Sequence, residues 1–180
     1  MAKHLASAGA NVAIAARTTE VTDKRLPGTI HSVSESINKS GGNAIPVKMN
    51  MRDPESIKSG VDITVENFGG LDIIVNNAAI LVPGSLNTVQ DRHLDLIWQI
   101  DLRGPLLLMK YSLEHLQASG GGDIINVSSI AAVFPGSGPY QTDPQRRDGS
   151  FYGMVKAGLE RFSQGLAKEL QDQEIKVNVL

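Results

Sequence analysis

Two residues in the run Ser150-Phe151-Tyr152-Gly153-Met154-Val155-Lys156 have the chemistry to move a proton. On a helix, Tyr-x-x-x-Lys puts a phenol and an ammonium one turn apart on the same face. A free phenol titrates near ~10, and a cation within a few Å favours its ionised form. The pair therefore suits a proton donor near neutral pH, with Lys156 expected to lower the pKa of Tyr152. The spacing alone says little, because i,i+4 partners occur on any helix. Here it lies downstream of Asn76-Asn77-Ala78-Ala79 and Ser128-Ser129, each directly after an apolar, strand-like run. Three polar motifs gathered at such ends make a site.

The elements that must hold these residues alternate between helix and strand. Residues 1–8 read as the end of a helix, with Gly9 closing it in the left-handed region. Residues 12–16 form an apolar strand, and 17–27 a polar loop. A helix is expected over 29–39, then a strand over 44–49 whose Pro46 suits an edge position. Asp53 and Pro54 mark the start of a helix reaching Phe68. Strands follow over 71–75 and 123–127. Between them one long helical stretch, 91–117, carries Gly104-Pro105, which should kink or break it. A Pro- and Gly-rich loop covers 134–149, a helix 151–171, and a last strand starts at 176. Near-continuous apolar strands alternating with helices indicate a parallel sheet covered on both faces.

At 180 residues the chain has the length of a single domain, residues 1–180. A net charge of −2 gives no reason to expect a nucleic-acid or anionic-membrane partner. The chain has no cysteine, which excludes disulfides and thiolate metal sites and suits a reducing compartment. No apolar run approaches the ~20 residues of a spanning helix. The four histidines show no metal-ligand spacing, so no metal is expected. A cytoplasmic location is the default. Trp98 and its apolar neighbours suit core packing or a subunit contact.

Taken together, Asn76-Asn77-Ala78-Ala79, Asp123-Ile124-Ile125-Asn126-Val127-Ser128-Ser129, Tyr152-x-x-x-Lys156 and Asp101-Leu102-Arg103-Gly104 resemble the short-chain dehydrogenase/reductase family over nearly the whole chain. The run Leu26-Pro27-Gly28-Thr29-Ile30 is similar to a hydroxysteroid-dehydrogenase-like branch. The resemblance implies a Rossmann-like, doubly wound α/β fold. It also implies an oxidoreductase moving hydride between a nicotinamide cofactor and a small-molecule carbonyl or secondary alcohol. In that reading Tyr152 is general acid in reduction and base in oxidation. Lys156 lowers the phenol's pKa and binds the nicotinamide ribose. Ser129 binds the substrate oxygen, with Ser128 its nearest competitor. Asn77 and Ala78 line the cleft beside the adenosine ribose, and Asn76 braces neighbouring backbone. Asn50 and Met51 lie near the adenine. Arg17, just after a strand, can pair with a 2′-phosphate, which favours NADP(H) over NAD(H). A homo-oligomer built through residues 91–117 and 151–171 is implied as well.

Four departures from the family pattern stand out. Twenty-three positions separate Ser129 from Tyr152, longer than usual, with the excess in residues 140–148. Tyr140 is a rival tyrosine, but Pro144 stands where its lysine would be, so it is rejected. Asn50 replaces the usual Asp. Asp101 replaces the usual Asn of a Ser-Tyr-Lys proton relay; ionised, it accepts but cannot donate, and it sets a carboxylate near Lys156. Finally, Thr-Gly-x-x-x-Gly-x-Gly, the turn on which the pyrophosphate rests, is absent. Met1-Ala2-Lys3-His4-Leu5 resembles the second half of the helix that follows this turn. The turn and its strand are thus expected upstream, and the family's closing segment downstream. That strand would lie between those ending at Ala16 and Val75, leaving both with an unpaired edge. Asp101 and the absent turn also suit a second reading, a non-catalytic module of the same ancestry that lacks cofactor binding.

Overall fold

The computed structural model describes residues 1–21, 28–82, 84–134 and 150–180. They divide into two compact units, Met1–Gly70 and Leu71–Leu180.

In the first unit, α1 (Ala2–Ser7) leads through Gly9, at φ 94°, into β1 (Asn11–Ala16). The positive φ is the left-handed turn that glycine adopts without steric cost. α2 (Ile30–Lys39) starts on a capping box: the Thr29 hydroxyl accepts from Ser32 N–H at 3.0 Å, and Ser32 Oγ accepts from Thr29 N–H at 2.9 Å. β2 (Asn43–Lys48) runs parallel to β1, with Asn11 opposite Asn43 and Ile14 opposite Pro46. Among the described residues β2 pairs with β1 alone, so Pro46 sits on an edge strand, where a missing N–H is tolerated. α3 (Pro54–Phe68) has Asp53 as its cap, accepting from Glu55 N–H at 3.1 Å, and stops at Gly69, φ 80°. Ala6, Ile37 and Ala44 form the buried centre, with Val12, Ile14 and Val33 packed on it.

The second unit is built on a parallel sheet in the order β3 (Ile73–Asn76), β4 (Gly122–Asn126), β5 (Ile175–Val179). Its core joins Ile74, Met109, Leu116, Ile124, Leu159, Leu170 and Ile175. The long helical stretch is broken beside Gly104-Pro105, as expected. It runs as α4 (Asp91–Ile97), a π-helical turn (Trp98–Arg103) and α5 (Gly104–Ala118). Pro105 has no N–H to give the carbonyl of Asp101, and the wider turn lies over the residues just before it. α6 (Ser150–Glu169) ends two residues before the expected Gln171, where a short 3₁₀ turn (Gln171–Gln173) leads into β5.

Helix and strand bounds otherwise fall within two residues of the sequence expectations. Among the described residues β1 pairs only with β2 and β3 only with β4, so each has one edge without a strand. Leu26, Pro27, Tyr140, Pro144 and the loop beyond Phe134 lie outside the described residues.

Candidate active site

β4 ends in a polar hook. Beyond Asn126, the Val127 N–H donates to Asn76 O at 3.0 Å and the Ser128 N–H to Leu180 O at 2.7 Å, which extends the sheet at its carboxyl end. Ser129 then takes extended backbone, and its Oγ accepts from Ala131 N–H at 3.2 Å, starting a one-turn 3₁₀ segment at residues 130–132. α6 packs against this turn at Gly153, where a Cβ would overlap the Ala131 carbonyl oxygen. Any larger residue there would push Tyr152 away from the hook. Glycine at this point is a packing requirement.

Tyr152 and Lys156 lie one turn apart on α6, as their spacing requires. Lys156 is 2% exposed; its Nζ donates to Val127 O at 2.7 Å and stands 5.6 Å from the centroid of the Tyr152 ring. The Ser129 side chain lies near enough to the Tyr152 hydroxyl to act on its proton affinity as a hydrogen-bonding neighbour. Asp101, on the π-helical turn, is fully buried. Its Oδ1 accepts from Ile80 N–H at 2.9 Å, while Oδ2 has no partner. The fold thus brings together Ser129, Tyr152, Lys156 and Asp101. Ser128 is separated from them by its bond to the Glu160 carboxylate.

The electrostatics correct the sequence expectation. Tyr152 has its pKa raised, not lowered. Burial is the first cause and the Asp101 charge the second, with the Ser129 hydrogen bond acting the other way. Burial also lowers the pKa of Lys156, and Asp101 partly restores it. Burial pushes Asp101 itself up to about 6, against the pull of the Ile80 N–H and Lys156. One turn of helix guarantees nearness to a cation, but burial, with the Asp101 charge second, sets the direction of the shift at the phenol.

Asn76 differs too. Its amide donates to the Asn126 side chain at 2.7 Å rather than bracing backbone, and its Oδ1 has no partner. Asn126 donates onward to Ser163 Oγ at 2.8 Å, and Ser163 to Leu159 O at 2.7 Å. This buried polar chain ties β3 and β4 to α6. Sequence reading missed Asn126, Ser163 and Glu160 as partners. Glu160 stands four residues after Lys156, a spacing that could have drawn attention to it.

The remaining expected site residues divide between the units. Asn77 and Ala78 are exposed just beyond β3. Arg17, Asn50 and Met51 belong to the first unit. Arg17 is exposed after β1, and Asn50 and Met51 are half-buried after β2. The Asn50 N–H donates to Ser56 Oγ at 3.0 Å, and its Oδ1 accepts from Arg52 N–H at 3.2 Å, so that acceptor already serves the local turn.

Comparison with known proteins identifies the family that this fold represents. The short chain dehydrogenase family model matches residues 1–180. The chain belongs to this family. Bovine (Bos taurus) hydroxysteroid dehydrogenase-like protein 2 is 37% identical over 174 residues, which is 96% of this chain and 39% of the bovine protein. The chain therefore spans about a third to two-fifths of the length of the curated relatives it matches. A metagenomic short-chain oxidoreductase solved in complex with NADP superimposes with a TM-score of 0.81 at 26% identity, covering 99% of this chain and 73% of the other. L-Sorbose reductase from Gluconobacter frateurii, solved with NADPH and L-sorbose, superimposes at 0.83 with 27% identity, covering 99% and 61%. The α/β fold with parallel strands is thus the Rossmann-type fold of the short-chain dehydrogenases. Among the described residues, no helix is long and apolar enough to cross a membrane.

Proposed function

We propose that these residues serve an oxidoreductase that moves hydride between NADP(H) and a small-molecule carbonyl or secondary alcohol. The observation that carries the reading is the buried Lys156, held on Val127 O with its Nζ 5.6 Å from the centroid of the Tyr152 ring, with Ser129 beside the phenol and Ser128 committed to Glu160. The nicotinamide cofactor, when bound, supplies or accepts the hydride. The donor set fits its nicotinamide–ribose end: the Lys156 ammonium has three N–H bonds, and Val127 O uses one. Asn77 and Ala78 would flank the adenosine ribose, Asn50 and Met51 the adenine, and Arg17 a 2′-phosphate. Residues for the pyrophosphate are not among these 180, since no glycine-rich turn is present. NADP(H) in two structural neighbours supports the preference that Arg17 suggests.

The side chains divide the proton work. Tyr152, held protonated by burial and by Asp101, gives its hydroxyl proton to the carbonyl oxygen as that oxygen gains charge. Ser129 donates a hydrogen bond to the same oxygen. Lys156 binds ribose hydroxyls and keeps positive charge beside the phenol. In the opposite direction Tyr152 would have to take a proton as phenolate, which the Asp101 carboxylate opposes. The set therefore favours carbonyl reduction.

We place both units in one Rossmann-type domain, because a single family model spans them. We also assign a self-association surface to α4–α6, where Trp98, Met154 and Phe162 are exposed apolar residues. Asp101 and the absent glycine turn favour a second reading, a non-catalytic module of the same ancestry.

Ketone-dependent NADPH oxidation separates the two readings. The assay uses the chain extended upstream by a family strand and glycine-rich turn. Oxidation abolished by Tyr152→Phe supports the enzyme, and an unchanged rate in that variant overturns it. The 180 residues alone are expected to bind NADPH weakly or not at all in a fluorescence titration.

A further inference from the structure

We propose that Glu160 is a positioning residue for the proton-donating site: through Ser128 it anchors the end of β4 to α6 and so holds Ser129 against Tyr152. The proposal rests on the Ser129–Tyr152 reading above and extends it to a residue one helical turn beyond Lys156.

The geometry is a clamp with the Ser129 hook between its arms. On one side the Ser128 hydroxyl donates to Glu160 Oε1. On the other, Gly153 lets α6 meet the Ala131 carbonyl with no room for a side chain. Lys156 Nζ adds a third tie at Val127 O, 2.7 Å away. Three consecutive residues of the hook, Val127, Ser128 and Ser129, thus each meet α6, at Lys156, Glu160 and Tyr152. A hydroxyl–carboxylate bond is charge-assisted and stronger than a neutral one. Ser128 is half-buried, which limits competition from water. Ser129 itself is tied within the turn, its Oγ accepting from Ala131 N–H at 3.2 Å and its carbonyl from Ala132 N–H at 2.9 Å, so its place against α6 follows that of Ser128. Without Glu160, Ser128 loses its side-chain tie to the helix, and the next residue can rotate away from the phenol.

The sign of one titration decides the matter. Ser129 lowers the pKa of Tyr152 through its hydrogen bond. A displaced Ser129 must therefore raise the midpoint. Removing the Glu160 charge with no change of geometry must do the opposite, since a nearby anion disfavours the phenolate. The probe is 3-fluorotyrosine placed at position 152 of the 180-residue chain, titrated by fluorine NMR, with a urea unfolding curve for each variant. Glu160→Ala and Ser128→Ala should raise the midpoint, each part of the way toward Ser129→Ala, and the double variant should raise it no further. Glu160→Gln keeps an acceptor oxygen and should leave the midpoint unchanged or lower. A midpoint that falls or stays put in Glu160→Ala, in a variant that still unfolds cooperatively, overturns the proposal. If Ser129→Ala itself leaves the midpoint unmoved, the Ser129–Tyr152 reading fails instead.

Discussion

The two units put polar groups to work in opposite ways. In Met1–Gly70, Arg17 is exposed and Asn50 half-buried, and Ser34 is the one buried polar side chain among the described residues. In Leu71–Leu180, Asn76, Asp101, Ser112, Asn126, Lys156 and Ser163 are all buried. Exposed groups at strand ends can recognise a ligand at little cost to folding. Buried ones are held in fixed geometry and have shifted proton affinities, and each must find partners or destabilise the fold. Under the proposed function, the first unit would serve recognition and the second chemistry.

That contrast can be broken by substitution, and Tyr152→Phe should have the largest effect. Deleting the proton donor should lower ketone-dependent NADPH oxidation in the extended chain by about 10²–10⁴-fold, the usual contribution of a general acid. Unfolding free energy should change by about 1 kcal/mol or less, since one half-buried hydrogen bond is lost. Parallel urea curves and initial rates separate the two. Next comes Asn126→Ala, which removes the middle of the Asn76–Asn126–Ser163 chain. It should cost about 3 to 4 kcal/mol, because a buried amide loses its acceptor and a gap opens. A cost under ~1 kcal/mol would mean that the buried chain carries little of the second unit's stability.

Asp101→Asn should act through pH. A carboxyl raised from 3.8 to about 6 in the folded state binds its proton more tightly there than when unfolded. Its contribution is therefore most favourable below pH 3.8, is lost as pH rises toward about 6, and stays lost above that. The stability of the variant relative to the parent should climb across this window by about 3 kcal/mol, then level off. A difference that is flat with pH would show Asp101 ionising normally. Arg17→Ala should have the smallest effect on folding, within about 0.5 kcal/mol. In the extended chain it should nevertheless weaken NADPH more than NADH, by isothermal titration.

How far the sequence could be read follows the same division. Asp53-Pro54, Gly9 and Pro46 announced their turns and edges because each acts through local backbone geometry. Tyr152, Lys156 and Ser129 were legible because one helical turn and one strand end fix where they lie. The direction of the Tyr152 shift was not, since it depends on how deeply α6 is buried and on Asp101, fifty-one positions away. The π-helical turn was half legible: Gly104-Pro105 marked the disturbance, but the altered turn lies over the preceding residues. Ser128 and Ser129 could not be separated by type or spacing. Their difference lies in Glu160, a tertiary partner that spacing alone does not reveal.

The most direct test is the alkaline limb of carbonyl reduction in the extended chain, measured for the parent and for Asp101→Asn. If Tyr152 is the donor and the Asp101 carboxylate helps keep it protonated, the rate should fall at high pH. The fall should begin at lower pH in Asp101→Asn, where that restraint on the phenol is gone. Identical limbs in the two proteins, or a rate that persists through the ionisation of Tyr152, would contradict the account.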